Sequence, residues 1–213
     1  MNNSFEVIIS IDAGTSIIKT VAFDLEGKLL ASTSRTNDYS ILEHVCVIQD
    51  MDKTWDKTIQ CLRDLLEIID HKNIIVFSVT GQGDGTWLID NDGESNHPAL
   101  LWLGSRSSNI VNKLRKDPND IERYNINMTG LNSSQQGPQL IWFKENNKEI
   151  LQRSVKALHC KDWIYYNLTG EIVTDPSEAI SSYGDLEKRY YSDEVIEILG
   201  LTSQKYLLPE ISN

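Results

Sequence analysis

Apolar residues occur in short runs separated by turns over the first third of the chain, and this pattern predicts strands. Between Trp55 and Ile69 the apolar residues instead recur at steps of three and four, which predicts an amphipathic helix with Asp52 as its N-cap. The run 73–80 is almost continuously apolar and is typical of a strand buried on both faces. An antiparallel meander is predicted at the start, with strands over residues 6–11, 17–23 and 28–35.

Beyond residue 80 the pattern becomes increasingly helical. Further strands are predicted over residues 86–89 and 155–158, and helices over 105–116, 138–144, 162–168, from Pro176 onward, and from a Ser192 cap to Gly200. No repeat, low-complexity tract or linker rich in Pro, Ser or Gly divides the chain. The order of strands, helix, strands and then mostly helices predicts an α/β layered domain.

Composition narrows the class of protein. The 213 residues are 40% hydrophobic and 24% charged, as in ordinary soluble globular proteins, which argues against a disordered chain. A net charge of -11 argues against binding to nucleic acid or to an anionic membrane, but it leaves room for a small anion held by backbone amides and one lysine. The N-terminus lacks the basic and apolar segments of a secretion signal, so the protein is expected to be cytoplasmic.

Cysteine and histidine do not indicate a metal site. The three cysteines are widely spaced and predict reduced, mostly buried thiols: Cys46, Cys61 and Cys160. The four histidines have no mutual spacing that indicates a ligand set, so packing roles are expected for His44, His71, His97 and His159.

The first candidate motif, DAGTS, follows the first predicted strand. Asp12 would repel a phosphate directly, so its carboxylate is suited to holding Mg²⁺. Gly14 allows a tight turn, and the hydroxyls of Thr15 and Ser16 stand beside backbone amides that suit phosphate oxygens, with Lys19 as a cationic donor. A Walker A loop is excluded, because the GK[ST] ending is absent and the segment joins two strands. On its own, the segment fits an ordinary hairpin turn slightly better.

The second candidate motif, GQGDG at residues 81–85, ends an apolar strand. Ligand sites in α/β sheets lie beyond strand ends of this kind, and the glycines allow close approach of a ligand. Gln82 and Asp84 offer polar groups, and a carboxylate acceptor would suit a hydroxyl-rich ligand. The dinucleotide fingerprint GxGxxG does not match. A glycine-rich hairpin connection explains the segment equally well.

The two motifs and the segments around them resemble the N-terminal domain of the FGGY carbohydrate kinases over essentially the whole chain. IDAGTSIIKTVAFDLEGKLL resembles the first hairpin of that family, and SVTGQGDGTWLIDNDG resembles its segment with a Gln two residues before a substrate-contacting position. QDMDKTW, ALLWLGSRS, NMTGL and CKDWIYYNLTGEIVTDPSEAISS resemble four further family stretches in the same order. The GQGDGTWLID stretch most resembles the erythritol and L-xylulose kinase branch.

The resemblance implies a ribonuclease-H-like (actin-like ATPase) fold with a mixed sheet and flanking helices. It also implies transfer of the γ-phosphoryl group of MgATP to a sugar or polyol hydroxyl, and a homodimer is a further expectation for the full-length protein. At the phosphate end it places Asp12 near Mg²⁺, with Gly14, Thr15, Ser16 and Lys19 lining the phosphates. In the substrate pocket it places Gln82, Gly83 and Asp84, with Trp102 and Arg106 nearby.

One departure from the family pattern concerns the catalytic base. The family's general base is an Asp in a glycine-rich segment downstream of an L-P-E stretch, and here Leu208-Pro209-Glu210-Ile211 is followed by only two residues. Residues 1–213 are therefore expected to be an N-terminal domain that is incomplete at its C-terminal end, lacks the adenosine-binding second domain and is inactive alone. Asp84 could be proposed as a substitute base, but the family pattern makes it a substrate binder.

Two other functions remain open at this stage. The first is a non-catalytic sugar-binding or interaction module with the kinase fold. The second is another actin-like enzyme, such as an exopolyphosphatase, against which the Trp and GQGDG segments argue. The identity of the sugar is open as well. In glycerol-type members the region around Ser134 supplies an aromatic side chain, whereas residues 133–136 here are polar, which argues against glycerol.

Overall fold

The computed structural model describes residues 6–43, 45–70 and 73–212. Its strands are β1 (Val7–Ala13), β2 (Ile17–Phe23), β3 (Leu29–Thr36), β4 (Ser40–Leu42), β5 (Cys46–Gln49), β6 (Ile74–Gly81), β7 (Trp87–Ile89), β8 (Ala99–Leu100), β9 (Lys156–Leu158), β10 (Val173–Thr174), β11 (Gly184–Asp185), β12 (Tyr190–Tyr191) and β13 (Glu210–Ile211). Its helices are α1 (Met51–Ile68), α2 (Ser108–Leu114), α3 (Asp120–Asn127), α4 (Gln136–Asn146), α5 (Lys148–Arg153), α6 (Cys160–Thr169), α7 (Pro176–Tyr183) and α8 (Asp193–Ile198), followed by a 3₁₀ helix over Thr202–Leu207.

A four-stranded mixed sheet with the order β3-β2-β1-β6 forms the centre of the fold. Strands β1, β2 and β3 make the predicted antiparallel meander, and β6 lies parallel to β1 after the chain has passed through α1. Alternation along β1 points Ile9, Ile11 and Ala13 into the core and leaves Asp12 on the opposite, exposed face. The mixed sheet with flanking helices confirms the predicted α/β class.

Helix α1 packs against β2 and β3, as its apolar stripe predicts, but its N-cap lies two residues before the expected one. Asp50, not Asp52, is the N-cap, and its side chain accepts a hydrogen bond from the Lys53 backbone N–H at 3.0 Å. Met51, the first residue of the helix, is buried in the core. The buried face of the helix is also rotated from the predicted one. Its centre includes Thr54, Thr58, Cys61 and Leu65, whereas the predicted residues Trp55, Ile59 and Leu66 are only partly buried.

The predicted burial of β6 on both faces is wrong. Ile75, Val76 and Phe77 are between 46% and 50% exposed, because β6 lies at the edge of the sheet and pairs only with β1 among the described strands. A continuous apolar run predicts a strand that is covered on both faces, but it does not indicate which segments cover it.

Five of the seven α-helices that follow β8 in the described ranges are predicted, with shifted bounds, whereas α3 and α5 are not predicted. Helix α2 begins at Ser108 instead of residue 105, and α4 begins at Gln136, so that Pro138 is its third residue. Helix α6 begins at Cys160 with His159 as its N-cap, and Asp162 is the capping-box partner that accepts the His159 N–H at 3.0 Å. No helix within the described ranges combines the length and hydrophobicity that a membrane crossing requires.

The loop that follows β6 ends at a glycine whose conformation only glycine adopts easily. Gly85 has a φ of 82°, and its N–H donates to the Ser134 carbonyl oxygen at 2.9 Å. A Cβ atom at this position would lie 2.6 Å from the Leu100 carbonyl oxygen. That oxygen accepts the Thr86 N–H at 2.9 Å, so it has no freedom to move aside.

Gly85→Ala is expected to lower the free energy of unfolding by about 2–5 kcal/mol, because a left-handed alanine costs about 1–2 kcal/mol and overpacking adds about 1–3 kcal/mol. Gly27→Ala is the matched control, since Gly27 has a φ of 79° but no atom within 4 Å of its Cβ position. Only the backbone cost of about 1–2 kcal/mol is expected there. Urea denaturation measures both values, and equal losses would contradict the role assigned to the Leu100 carbonyl.

Candidate functional site

Both predicted motifs leave the central sheet at the same edge. In the parallel pairing of β1 with β6, Asp12 lies beside Thr80 and Ala13 beside Gly81. The Gln82 backbone N–H donates to the Ala13 carbonyl oxygen at 3.0 Å, which extends this pairing by one residue. The hairpin after β1 and the glycine-rich loop after β6 therefore share one site beyond the carboxyl ends of parallel strands, where α/β folds bind ligands.

Hydrogen bonds join three side chains that come from three separate segments. Thr15 Oγ1 donates to Gln82 Oε1 at 3.0 Å and accepts from Trp102 Nε1 at 3.0 Å. Trp102 is 46% exposed, so this bond anchors its ring at the surface of the site. The structure thus brings residues predicted for the phosphate end and residues predicted for the substrate pocket into direct contact.

Gln49, which the sequence analysis did not single out, completes this network from the protein interior. Gln82 Nε2 donates to Gln49 Oε1 at 2.6 Å. Gln49 Nε2 donates to the carbonyl oxygens of Thr15 and Asp38, each at 3.1 Å. Gln49 ends β5 and is the first residue of the QDMDKTW segment, which was the available signal. A buried polar network paired in this way holds both loops in one arrangement.

The predicted phosphate-binding residues occupy the tip and the exposed face of the first hairpin. Asp12 and Lys19 are both exposed and lie opposite each other in the register of β1 with β2. Gly14 forms the tight tip, where a Cβ atom would lie 2.7 Å from the Ile17 carbonyl oxygen. Ser16 is exposed beside it. The hairpin therefore offers the Ser16 hydroxyl, one ammonium group and one carboxylate to solvent.

Asp12 is also the predicted magnesium ligand. The described part of the chain contains no cluster of three or more His, Cys, Asp or Glu side chains that could hold a metal ion. A single exposed carboxylate nevertheless fits Mg²⁺, which usually takes one or two protein carboxylates and completes its shell with water and substrate phosphates.

Asp84 is held in a strained backbone conformation by a neighbouring loop. Its φ of 54° lies in the left-handed region, which is costly for a residue with a Cβ atom. Ser134 Oγ donates to Asp84 Oδ2 at 2.6 Å, and the Ser134 carbonyl oxygen accepts the Gly85 N–H. The Ser134 loop therefore restrains both the carboxylate and the backbone, and strain maintained in this way is typical of functional sites.

Arg106 lies against a helix and outside the hydrogen-bond network. Its guanidinium carbon is 4.5 Å from the centre of the Trp142 ring on α4. Burial lowers the pKa of Arg106, and the charge of Glu43 opposes that shift. Its Nη2 atom is buried and has no hydrogen-bond partner among the described residues. Arg106 therefore retains a donor that a ligand or another segment would satisfy.

Comparison with known proteins decides the family. Residues 7–213 match the FGGY family of carbohydrate kinases, N-terminal domain. The chain belongs to this family. The predicted resemblance is thereby confirmed, and so is the predicted ribonuclease-H-like fold, since sugar kinases of known structure superpose on almost the whole chain.

Relatives of this FGGY domain are considerably longer than it is. An erythritol kinase of Brucella abortus is 42% identical over 213 residues, which are 99% of this chain and 41% of that protein. A ligand-bound xylulose kinase from Lactobacillus acidophilus has a TM-score of 0.89 at 24% identity, covering 98% of this chain and 42% of that one. Plasmodium falciparum glycerol kinase with ADP has a TM-score of 0.87 at 21% identity, with coverage of 97% and 43%. The chain thus spans 41–43% of the length of these proteins.

The FGGY domain also buries a cluster of charged side chains next to its glycine-rich loop. His159 is 3% exposed, with Nδ1 3.3 Å from Asp162 Oδ2 and Nε2 3.6 Å from Glu178 Oε2. Lys161 Nζ lies 3.2 Å from Asp162 and 2.5 Å from Asp175. The packing role expected for His159 therefore takes the form of a buried contact with two carboxylates, which is an ion pair when the imidazole is protonated. Two of the other histidines, His44 and His71, lie outside the described residues.

Opposing effects set the pKa values of the central pair. Burial acts to lower the pKa of His159, but its hydrogen bond with Asp162 and the charges of Glu178 and Asp162 outweigh burial and raise it above the ordinary 6.5. Burial acts to raise the pKa of Asp162, but the hydrogen bond and charge of His159 and the charge of Lys161 outweigh burial and lower it below the ordinary 3.8. Both shifts favour the charged forms.

The pH dependence of stability should report this pair. Because folding raises the pKa of His159, its contribution is fully present below pH 6.5 and is lost as the pH rises through the folded-state value. Because folding lowers the pKa of Asp162, its contribution is present above pH 3.8 and is lost as the pH falls through the folded-state value. His159→Gln is expected to remove the high-pH decline that this group causes. Urea denaturation from pH about 5 to about 9 tests it, and parallel curves for both proteins would contradict it.

Gln49→Ala is expected to lower the free energy of unfolding by about 1–3 kcal/mol, since it leaves the buried Gln82 amide and the Thr15 carbonyl without a partner. Gln60→Ala, on the exposed face of α1, is the matched control, and its change is expected to stay within about 0.5 kcal/mol. Thermal or urea unfolding measures both. A Gln49 variant as stable as the Gln60 variant would show that the network contributes nothing to the fold.

Proposed function

We propose that this chain is the substrate- and phosphate-binding part of a kinase that transfers the γ-phosphoryl group of ATP to a hydroxyl of a small sugar or polyol. The contact among Thr15, Gln82 and Trp102 carries the proposal, because it joins the phosphate-facing hairpin to the substrate-facing loop. Catalysis of phosphoryl transfer consists mainly of positioning and charge neutralisation. Two loops locked side by side supply the positioning for a donor phosphate and an acceptor hydroxyl.

At the phosphate end, the hairpin tip would bind the ATP phosphates through the backbone amides of Gly14, Thr15 and Ser16 and through the Ser16 hydroxyl, since the Thr15 hydroxyl is already bonded to two other side chains. Lys19 would add positive charge, and Asp12 would hold Mg²⁺ directly or through water. The ADP present in the structure of Plasmodium falciparum glycerol kinase supports a nucleotide as the phosphoryl donor. With a net charge of -11, phosphate binding has to rest on these local groups and not on the overall field of the protein.

At the acceptor end, Gln82, Gly83, Asp84 and Trp102 would line the pocket, with Arg106 beside it. A restrained carboxylate such as that of Asp84 accepts hydrogen bonds from hydroxyl groups, which suits a neutral polyol. A tetritol such as erythritol is the best-supported acceptor, because the 42% identical relative is an erythritol kinase. The polar Ser134, already bonded to Asp84, provides no aromatic wall of the kind expected for glycerol.

We place the general base and the adenosine-binding domain outside these 213 residues. The support is that the chain spans only 41–43% of the length of related kinases. Asp84 is assigned to substrate binding, because its carboxylate is already engaged by Ser134 at 2.6 Å. A cytoplasmic location and a homodimer of the full-length protein stay predictions.

The full-length protein is expected to phosphorylate a tetritol from MgATP in a coupled assay over tetritols, pentitols, ketopentoses and glycerol. Asp84→Asn is expected to lower kcat/KM for the best acceptor about 10–100-fold, from the loss of a charged hydrogen bond of about 1.5–3 kcal/mol, and to leave the KM for ATP unchanged. Asp92→Asn, in the exposed turn after β7, is the matched control and should change neither constant.

Two outcomes would contradict parts of this proposal. If the full-length protein bound polyols without ever transferring a phosphoryl group, the non-catalytic binding module would be the better description. If residues 1–213 alone phosphorylated a polyol at a substantial rate, the general base would have to lie within them, and Asp84 would become the first candidate.

A further inference from the structure

The glycine-rich loop has an opening at Gly83, between Gln82 and Asp84. Gly83 is exposed, and unlike Gly85 it has no left-handed φ, so the backbone itself does not require glycine there. A Cβ atom built on Gly83 would have a single neighbour within 4 Å, the Oε1 atom of Glu178 at 3.5 Å. Because glycine has no side chain, the Glu178 carboxylate is accessible from the space between Gln82 and Asp84, the two loop residues assigned to substrate binding.

Glu178 is a carboxylate with unused acceptor capacity. It lies in the first turn of α7, where its backbone N–H donates to Asp175 Oδ1 at 3.3 Å. Its side chain is 15% exposed, yet it accepts no hydrogen bond from the described residues, and its partner is His159 Nε2 at 3.6 Å. Largely buried carboxylates normally have hydrogen-bond donors, so an acceptor left open beside a ligand loop indicates that a ligand supplies the donor.

In the cluster of His159, Lys161, Asp162, Asp175 and Glu178, the Glu178 carboxylate is the one that accepts no hydrogen bond from the described residues. Lys161 is engaged by Asp162 and Asp175, and His159 Nδ1 faces Asp162. The opposite ring nitrogen, His159 Nε2, is buried, has no hydrogen-bond partner within the described residues, and faces Glu178. At 3.6 Å, His159 Nε2 interacts with the Glu178 carboxylate by charge when protonated, and it leaves the hydrogen-bond acceptor sites of that carboxylate available.

We propose that Glu178 is a specificity-determining residue of the acceptor pocket, whose carboxylate reaches through the opening at Gly83 and accepts a hydrogen bond from a substrate hydroxyl, with His159 as its positioning residue. This inference rests on the proposed function. With Asp84 and Glu178 on either side of Gly83, the pocket presents two carboxylates to the substrate. It therefore favours a neutral polyol and disfavours a sugar acid of the same length by charge repulsion.

The test is calorimetric titration of the full-length protein with erythritol and, separately, with erythronate, the acid of the same carbon number. Glu178→Gln is expected to weaken erythritol binding about 10–100-fold, the loss that follows from removing a charged hydrogen bond. The same variant should lower the ratio of the affinity for erythritol to the affinity for erythronate, and it should leave the affinity for ATP unchanged. Glu187→Gln, an exposed change of the same kind, should alter none of these values.

Gly83→Ala probes the opening without touching Glu178. The added methyl group stands at ordinary contact distance from Glu178 Oε1, so the fold should tolerate it while access to the carboxylate narrows. Weaker erythritol binding is expected from this change alone, and little further loss when it is combined with Glu178→Gln. His159→Gln should raise the KM for the polyol a few-fold with kcat nearly unchanged, and Glu178→Asp should restore part of the affinity that Glu178→Gln loses.

The outcomes separate this inference from the function on which it rests. A wild-type protein that binds no polyol would overturn the proposed function and this inference with it. A wild-type protein that binds erythritol as tightly as its folded Glu178→Gln and Gly83→Ala variants do would overturn the inference alone. Equal losses for erythritol and ATP would also overturn it, because they would show a general distortion of the site.

Discussion

The site depends on a single buried amide, Gln82. Its backbone continues the pairing of β6 with β1 through Ala13, and its side chain bonds to Thr15 on one side and Gln49 on the other. A buried amide with unpaired groups would cost about 1–3 kcal/mol per missing partner, so the loops can change their relative position only by breaking several bonds together. Because Trp102 Nε1 donates to the same Thr15 hydroxyl, the network also fixes the Trp102 ring.

A second restraint acts on the far side of the same loop and stores strain there. Asp84 and Gly85 both have positive φ, and Ser134 bonds to both of them. A left-handed Asp is unfavourable by itself, so its persistence depends on that bonding and on the close contact of Gly85 with Leu100. The loop is therefore fixed at Gln82 and at Asp84, and Gly83 between them is the exposed residue of the segment 81–85.

The sequence predicts the elements that depend on neighbouring residues, but it does not predict the contacts between residues far apart in the chain. The meander and both motif loops follow from runs of apolar residues and from glycine spacing, and β2 has the predicted bounds. The partner Gln49 is 33 residues from Gln82, and its place in the QDMDKTW segment does not reveal that pairing. The exposure of β6 is missed for the same reason, since an apolar run reports the strand and not its neighbours. Asp50 and Asp52 are equally good caps locally, and the structure identifies Asp50 because its side chain accepts the Lys53 N–H.

An excess of carboxylates at this site has a consequence for how an anionic donor binds. Asp12, Asp84 and Glu178 are the three acidic side chains of the proposed site, and Lys19 and, when protonated, His159 carry positive charge beside them. The three are treated differently: Asp84 is bonded by Ser134, Glu178 faces a buried imidazole, and Asp12 is left exposed. If the hairpin binds ATP as proposed, a free phosphate would be repelled by Asp12, whereas a phosphate that arrives with Mg²⁺ would make that carboxylate a ligand of the cation. Under the proposed function, the carboxylate that repels a bare anion would therefore select the metal-bound form of the donor.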